Sequence, residues 1–168
     1  MATSGARIRV GAVQAAWDQV CVLRSAEDLE RVSALADRIA KATALYGTDE
    51  VARGTVALIG GAVDLLGAGR PGGAGFTERF IDKLMNKIVK QWPEQVDAAD
   101  LPMVRQVVTV AFEDRDPVAW RDAAGAVPDS ERIAMGCALA LIADFVDFVN
   151  GPGACERALL TALGGALD

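Results

Sequence analysis

The sequence predicts an all-α fold, a single-domain orthogonal or bundle-like array of about six to eight helices with two central apolar helices. Three observations lead there. Apolar side chains recur at spacings of three and four through most of the chain. Capping residues and Gly or Pro stops separate the periodic runs at helix-sized intervals. No stretch alternates apolar and polar residues firmly enough to build a sheet, and no internal repeat is visible.

The first helix is expected over about Arg7 to Arg24, where Val10, Val13, Trp17, Val20 and Cys21 form one apolar stripe. Ile8-Arg9-Val10 has the alternative of a short strand. Ser25 reads as the N-cap of a second helix, about Ala26 to Tyr46, with Glu27 and Asp28 in the first turn, where acids suit the helix dipole. Its apolar face is Leu29, Val32, Ala36, Ile39, Thr43 and Tyr46, and Glu27–Arg31 and Asp37–Lys41 are acid-before-base pairs. Gly47 stops it and Thr48 caps a third, about Asp49 to Leu66. This third helix turns apolar all round after Arg53, the pattern of a helix buried on every side, and Gly60 and Gly61 suit close approach of a neighbouring backbone.

Residues 67–75, Gly-Ala-Gly-Arg-Pro-Gly-Gly-Ala-Gly, read as a flexible loop. Thr77 caps a fourth helix reaching Trp92, with Phe80, Ile81, Leu84, Met85, Ile88 and Trp92 inward and Pro93 ending it. Leu101 to Glu113 is rich in β-branched residues, yet Asp100 as N-cap and Pro102 in the first turn favour helix. Asp116-Pro117 opens a short helix through Trp120 to about Ala123. Pro128-Asp129-Ser130 opens a long central one to Val149, closed by Asn150-Gly151-Pro152, and a last helix covers about Ala154 to Leu163.

At 168 residues the chain suits one domain whose core needs no disulfide or metal staple. Its apolar fraction is 52%, a surplus that must enter a larger core, a cavity or a subunit interface. The longest apolar runs, Gly54 to Val63 and Ile133 to Ala143, stop at Asp64 and Asp144, short of the roughly 20 residues of a membrane span. With no signal-peptide pattern at Met1-Ala2-Thr3-Ser4-Gly5, a cytoplasmic protein with no membrane partner is expected. Cys21, Cys137 and Cys155 lie far apart without CxxC spacing and read as buried free thiols. A net charge of −6 argues against nucleic acid as partner.

There is no histidine. That removes Ser-His and Cys-His nucleophile pairs and His-ligated zinc, di-iron and haem sites. Acid–base work would fall to carboxylates, lysines, thiols or the single tyrosine. Asp64 is the candidate catalytic residue: a carboxylate in the apolar run Val56 to Leu66 suits a general acid or base if desolvated. The competing reading is a solvated helix end, or pairing with Arg70. Asp144 and Asp147 share one helix face at i,i+3 and are the candidate ligands of a Mg²⁺ bridging a diphosphate, the one cofactor the chain suggests. Against this, their arc also reads as an ordinary polar edge.

Glu27-x-x-Glu30 is a second carboxylate pair. Two such pairs close together mark the all-α nucleotide pyrophosphohydrolases. Here they lie far apart, Asp stands where Glu is expected, and Glu27 has Arg31 as a local partner, so the chain is not assigned to that family. The glycines of residues 67–75 match neither phosphate-loop pattern.

Arg79, Lys83, Lys87 and Lys90 run along one side of the fourth helix, a basic face suited to an acidic protein partner or a phosphate, unless it is simply a solvated one. Trp17, Trp92, Trp120 and Phe145 are the candidate lining of an apolar ligand cavity, weighed against plain core packing. The leading expectation is a non-catalytic binding or interaction module, taking a small molecule or serving as an accessory or regulatory partner, and self-associating as a homo-oligomer such as a homodimer. The alternative is a cofactor-independent or Mg²⁺-dependent enzyme acting on an apolar or diphosphate-bearing small molecule through its Asp carboxylates.

Overall fold

Eight α-helices and one 3-10 helix make up the computed structural model, which describes residues 7–67 and 75–164; no strand occurs among these residues. The α-helices are α1 (Val10–Arg24), α2 (Leu29–Tyr46), α3 (Thr48–Gly67), α4 (Phe76–Gln91), α5 (Leu101–Phe112), α6 (Pro117–Ala123), α7 (Asp129–Asn150) and α8 (Ala154–Gly164). The 3-10 helix Ala98–Asp100 leads into α5. The fold is all-α, as expected, and Ile8 and Arg9 precede α1 without forming a strand. Most of the glycine-rich stretch read as a loop, residues 68–74, lies outside the described residues.

Local chemistry sets the helix ends. Asp116 Oδ1 accepts from the N–H groups of Val118 and Ala119 at 2.9 and 3.2 Å, and Pro117 brings a preset φ to the first position of α6. Gly47 and Gly151, at φ 88° and 101°, end α2 and α7 in a backbone region that side chains disfavour. Four caps differ from expectation. Thr48 is already the first residue of α3, and Thr77 lies inside α4, which starts at Phe76 behind Gly75 with no side-chain cap. The other two are Ser25 and Asp100. The Arg31 N–H donates to Asp28 Oδ1 at 3.0 Å, so Asp28 and not Ser25 opens α2. Ser25 instead ends α1, its N–H donating to the Val22 carbonyl at 3.3 Å. Asp100 makes no side-chain cap because it sits inside a helical turn, and Asp97, accepting from the Ala99 N–H at 2.9 Å, takes that role one turn earlier.

The apolar centre is shared by α1, α3 and α7, which pack on one another. Expecting two central helices undercounts it. Outside its predicted stripe, α1 also buries Ala12, Ala15, Ala16 and Asp18. Alanines let the backbones draw close, and Gly54 of α3 completes the approach: a Cβ there would lie 3.1 Å from the Ala12 carbonyl oxygen and from Val13 Cα. Gly60 and Gly61, expected at such a contact, face side chains instead, Pro117 and Leu159. Full burial of Ile59 and Ile142 contributes about 2 kcal/mol each. The β-branched Val107 and Val108 are likewise fully buried in α5, so packing overrides their weak helix propensity.

Helix α2 lies outside this centre, against α1. Its inward face is Val32, Leu35, Ile39, Ala42 and Tyr46, while Leu29 is 78% exposed and Ala36 is exposed. Val32, Ile39, Thr43 and Tyr46 of the expected face are thus at least partly buried, Leu35 and Ala42 join them, and Leu29 is exposed as the first residue of a helix that starts later than expected. The Tyr46 ring occupies the place a side chain at Gly11 would take.

Helix α7 has 22 residues and a window of mean hydropathy 1.7, long and apolar enough by length and composition to cross a membrane. The apolar run ending at Asp144 understates it, since Asp144 and Asp147 occupy only one edge. Here most of that window is buried, with α1, α3, α4, α5 and α8 packed around the helix.

An internal ion pair fixes its start. Arg121 Nε and Nη2 meet Glu131 Oε1 and Oε2 at 2.9 and 2.6 Å, and the remaining donors reach the Gly125 and Ala126 carbonyls at 2.9 and 3.2 Å. Both side chains are buried, and the two-pronged geometry with its backbone bonds offsets their desolvation. All three cysteines are buried free thiols, as expected. Burial, above all, pushes Cys137 up to about 11 and Cys155 up to about 12.

Candidate functional site

The residues singled out from sequence divide into four groups in space. Asp64 is exposed: Val63 and Leu66 on the same turn of α3 point inward while Asp64 faces solvent. The desolvation on which its acid–base role rested is absent, and the catalytic assignment is withdrawn.

Asp144 and Asp147 do share a face of α7, but that face meets Arg24 from the last turn of α1. Arg24 Nε lies 2.9 Å from Asp144 Oδ1 and Nη2 lies 2.6 Å from Asp147 Oδ2. Asp147 Oδ1 also accepts the Cys155 N–H at 2.8 Å, tying down the start of α8. Partial burial alone would raise the Asp147 carboxyl, yet the Cys155 N–H and the guanidinium outweigh it and hold it below its ordinary value. The metal reading is corrected accordingly: a guanidinium takes up the charge of both carboxylates. No group of three or more potential metal ligands occurs among the described residues.

The third group converges. Phe80, Lys83, Leu84 and Lys87 on α4 face Leu141, Asp144, Phe145 and Phe148 on α7 across a groove of about 380 Å³. On both helices the spacing is i, i+3, i+4, i+7, one stripe against another. Leu84 and Leu141 are the buried floor, Phe80 and Phe145 the half-buried walls, and Phe148 stands 85% exposed at the mouth. Every phenylalanine of the chain belongs to the same series of ring contacts. Phe80 lies 6.1 Å from Phe76, 5.6 Å from Phe112 and 5.2 Å from Phe145, whose ring lies 6.4 Å from Phe148. Lys83 and Lys87 are exposed beside this surface and form no ion pair among the described residues. Arg79 and Lys90 are exposed on α4 outside the lining.

The tryptophans do not converge as predicted. Trp17 is buried in α1, with Nε1 donating to Glu156 Oε1 of α8 at 3.3 Å. Trp92 and Trp120 are half-buried against the core, and neither lines the cavities that Trp17 lines.

One of those cavities, about 430 Å³ between α1, α2 and α8, holds a constellation that sequence reasoning missed. Asp18 is only 4% exposed, and its Oδ1 accepts from Gln14 Nε2 at 3.2 Å and Arg38 Nη2 at 3.0 Å. Burial raises its carboxyl above the ordinary value, with Gln14 and Arg38 pulling it back. Arg31, Cys21 and Glu156 line the same cavity, and all three also line a neighbouring one of about 250 Å³ that reaches Arg24 and Asp147. The signal was available: Ala15-Ala16-Trp17-Asp18-Gln19-Val20 sets a carboxylate among mostly apolar residues, though less plainly than the run around Asp64 does. A third hollow, about 370 Å³ between α1, α2 and α7, is lined mainly by aliphatic side chains such as Leu23, Ile39 and Ile133.

Comparison with protein-family models, with curated proteins and with solved structures finds no match.

Proposed function

We propose that the protein is a binding module whose site is the α4–α7 groove, and that its ligand is a small apolar molecule carrying one negative charge. The observation that supports this most directly is the pairing of two matched apolar stripes with Lys83 and Lys87, cations without ion-pair partners in a chain of net charge −6. A groove of about 380 Å³ falls in the range that takes small ligands. Burial of apolar area drives such binding at roughly 25 cal/mol per Å², and the ammonium groups orient the charged end. Asp144, the one carboxylate of the lining, is engaged by Arg24, which favours binding over acid–base catalysis at this place.

The test is a titration with dodecanoate, dodecanol and dodecylammonium, read by displacement of 1-anilinonaphthalene-8-sulfonate fluorescence. Dodecanoate should bind at least about tenfold more tightly than dodecylammonium, and the preference should vanish in Lys83→Glu/Lys87→Glu. Phe148→Ser should weaken all three amphiphiles while changing stability by no more than about 0.5 kcal/mol, since the ring is exposed. Equal affinity for the two charged amphiphiles would sink the proposal. So would a homodimer that Phe148→Ser dissociates, which would give the groove to a second copy of the chain.

A further inference from the structure

We propose that the cavity between α1, α2 and α8 is a second site, for a small zwitterion whose ammonium meets Asp18 and Glu156 and whose carboxylate meets Arg31. The inference is independent of the α4–α7 groove. It starts from unused bonding capacity around one hollow. Asp18 receives both of its hydrogen bonds on Oδ1, and Oδ2 accepts none among the described residues. Oδ2 is not sealed from solvent and stays open to a second cation, while the Arg38 side chain is 58% exposed, so its attraction to Asp18 is screened. A second cation at Oδ2 would complete the pairing.

Glu156 offers the same chemistry from the opposite wall. Its Oε1 takes the long 3.3 Å bond from Trp17 Nε1, and Oε2 has no partner among the described residues. The Trp17 indole lines the same cavity, a flat apolar surface suited to alkyl carbons or to the face of an ammonium.

The positive side is equally specific. Arg38 is engaged by Asp18, and Arg24 by Asp144 and Asp147. Arg31 forms no ion pair among the described residues, yet it lines both this cavity and the neighbouring one. Cys21 lines both cavities as well, within electrostatic reach of Glu156, Arg31, Asp18 and Arg24. A purely cationic ligand would be repelled by Arg31, and a purely anionic one by Asp18 and Glu156. A molecule carrying both charges satisfies the three open groups at once.

The probes are glycine, β-alanine, 4-aminobutanoate and 6-aminohexanoate, with butylammonium and butanoate as single-charge controls. The readout is the indole N–H resonance of Trp17, assigned with Trp17→Phe, because that proton points at Glu156. At least one zwitterion should shift it saturably, at least about tenfold more tightly than either control. Arg31→Gln should bring that zwitterion down to the affinity of butylammonium, and Glu156→Gln should weaken it by a smaller factor, because Asp18 still meets the ammonium. Both positions are at least partly exposed, so these variants keep the test open if Asp18→Asn fails to fold. No saturable shift with any zwitterion, or an affinity untouched by Arg31→Gln, would overturn the proposal.

Discussion

The two hollows differ in what holds them. The α4–α7 groove is mainly apolar, built from two facing stripes, and its lysines sit beside it without ion-pair partners among the described residues while Asp144 is held by Arg24. The α1–α2–α8 cavity is polar, with the buried Asp18 among more exposed charges, and its wall includes Trp17, a residue of the central core. An apolar groove gains affinity by removing area from water and tolerates changes at its edge. A polar cavity depends on a few desolvated charges, each bound up with the stability of the fold.

The strongest way to sharpen that contrast is Trp17→Ala. It removes a buried ring together with its bond to Glu156, and it should cost about 3–5 kcal/mol in urea unfolding. A loss below 1 kcal/mol would erase the distinction between the two hollows.

Next comes Arg24→Ala, which leaves Asp144 and Asp147 facing each other without their shared cation. Equilibrium unfolding should show a loss of about 1–3 kcal/mol, with faster amide exchange at the start of α8, where Asp147 also holds the Cys155 N–H. Unchanged exchange in α8 would show that the clamp anchors only α1 to α7.

The smallest expected effect is a pair of opposed pH dependences. The Asp18 carboxyl is raised in the folded state, so its contribution is fully present below its unfolded value and is lost as pH rises through the folded one. The Asp147 carboxyl is lowered, so its contribution is present above its unfolded value and is lost as pH falls through the folded one. Between about pH 3 and pH 7, Tm of Asp18→Asn relative to the parent should therefore climb, and that of Asp147→Asn should fall. Parallel slopes would contradict the assigned environments.

What the sequence revealed was local. The Asp116-Pro117 start of α6, the Gly151 stop of α7 and the inward face of α4 depend on neighbours within a few positions, and they were read correctly. The start of α2 came later than the sequence suggests, because Ser25 and Asp28 are both good caps and only the turn after α1 chooses between them. Asp64 sits in the more apolar sequence, since Gln14 and Gln19 flank Asp18. Their opposite fates are decided by α2 and α8 covering Asp18 while Asp64 stays uncovered. Lys83 and Lys87 stand out as one basic face and Phe145 as cavity lining, and nothing in the spacing along α4 announces that α7 faces it. Arg24 lies 123 positions from Asp147, and no periodicity can report such a pair.

Arg24 also has a thermodynamic consequence. It borders the smaller cavity beside Asp147 and Glu156, and at the same time it grips Asp144, which lines the groove between α4 and α7. An anion resting on Lys83 and Lys87 alters the field at Asp144, and so the grip of Arg24. Linkage is reciprocal: whatever free energy one occupant draws from a change at that guanidinium, the other occupant must feel in equal measure. Two ligands that never touch would then share one residue as their go-between.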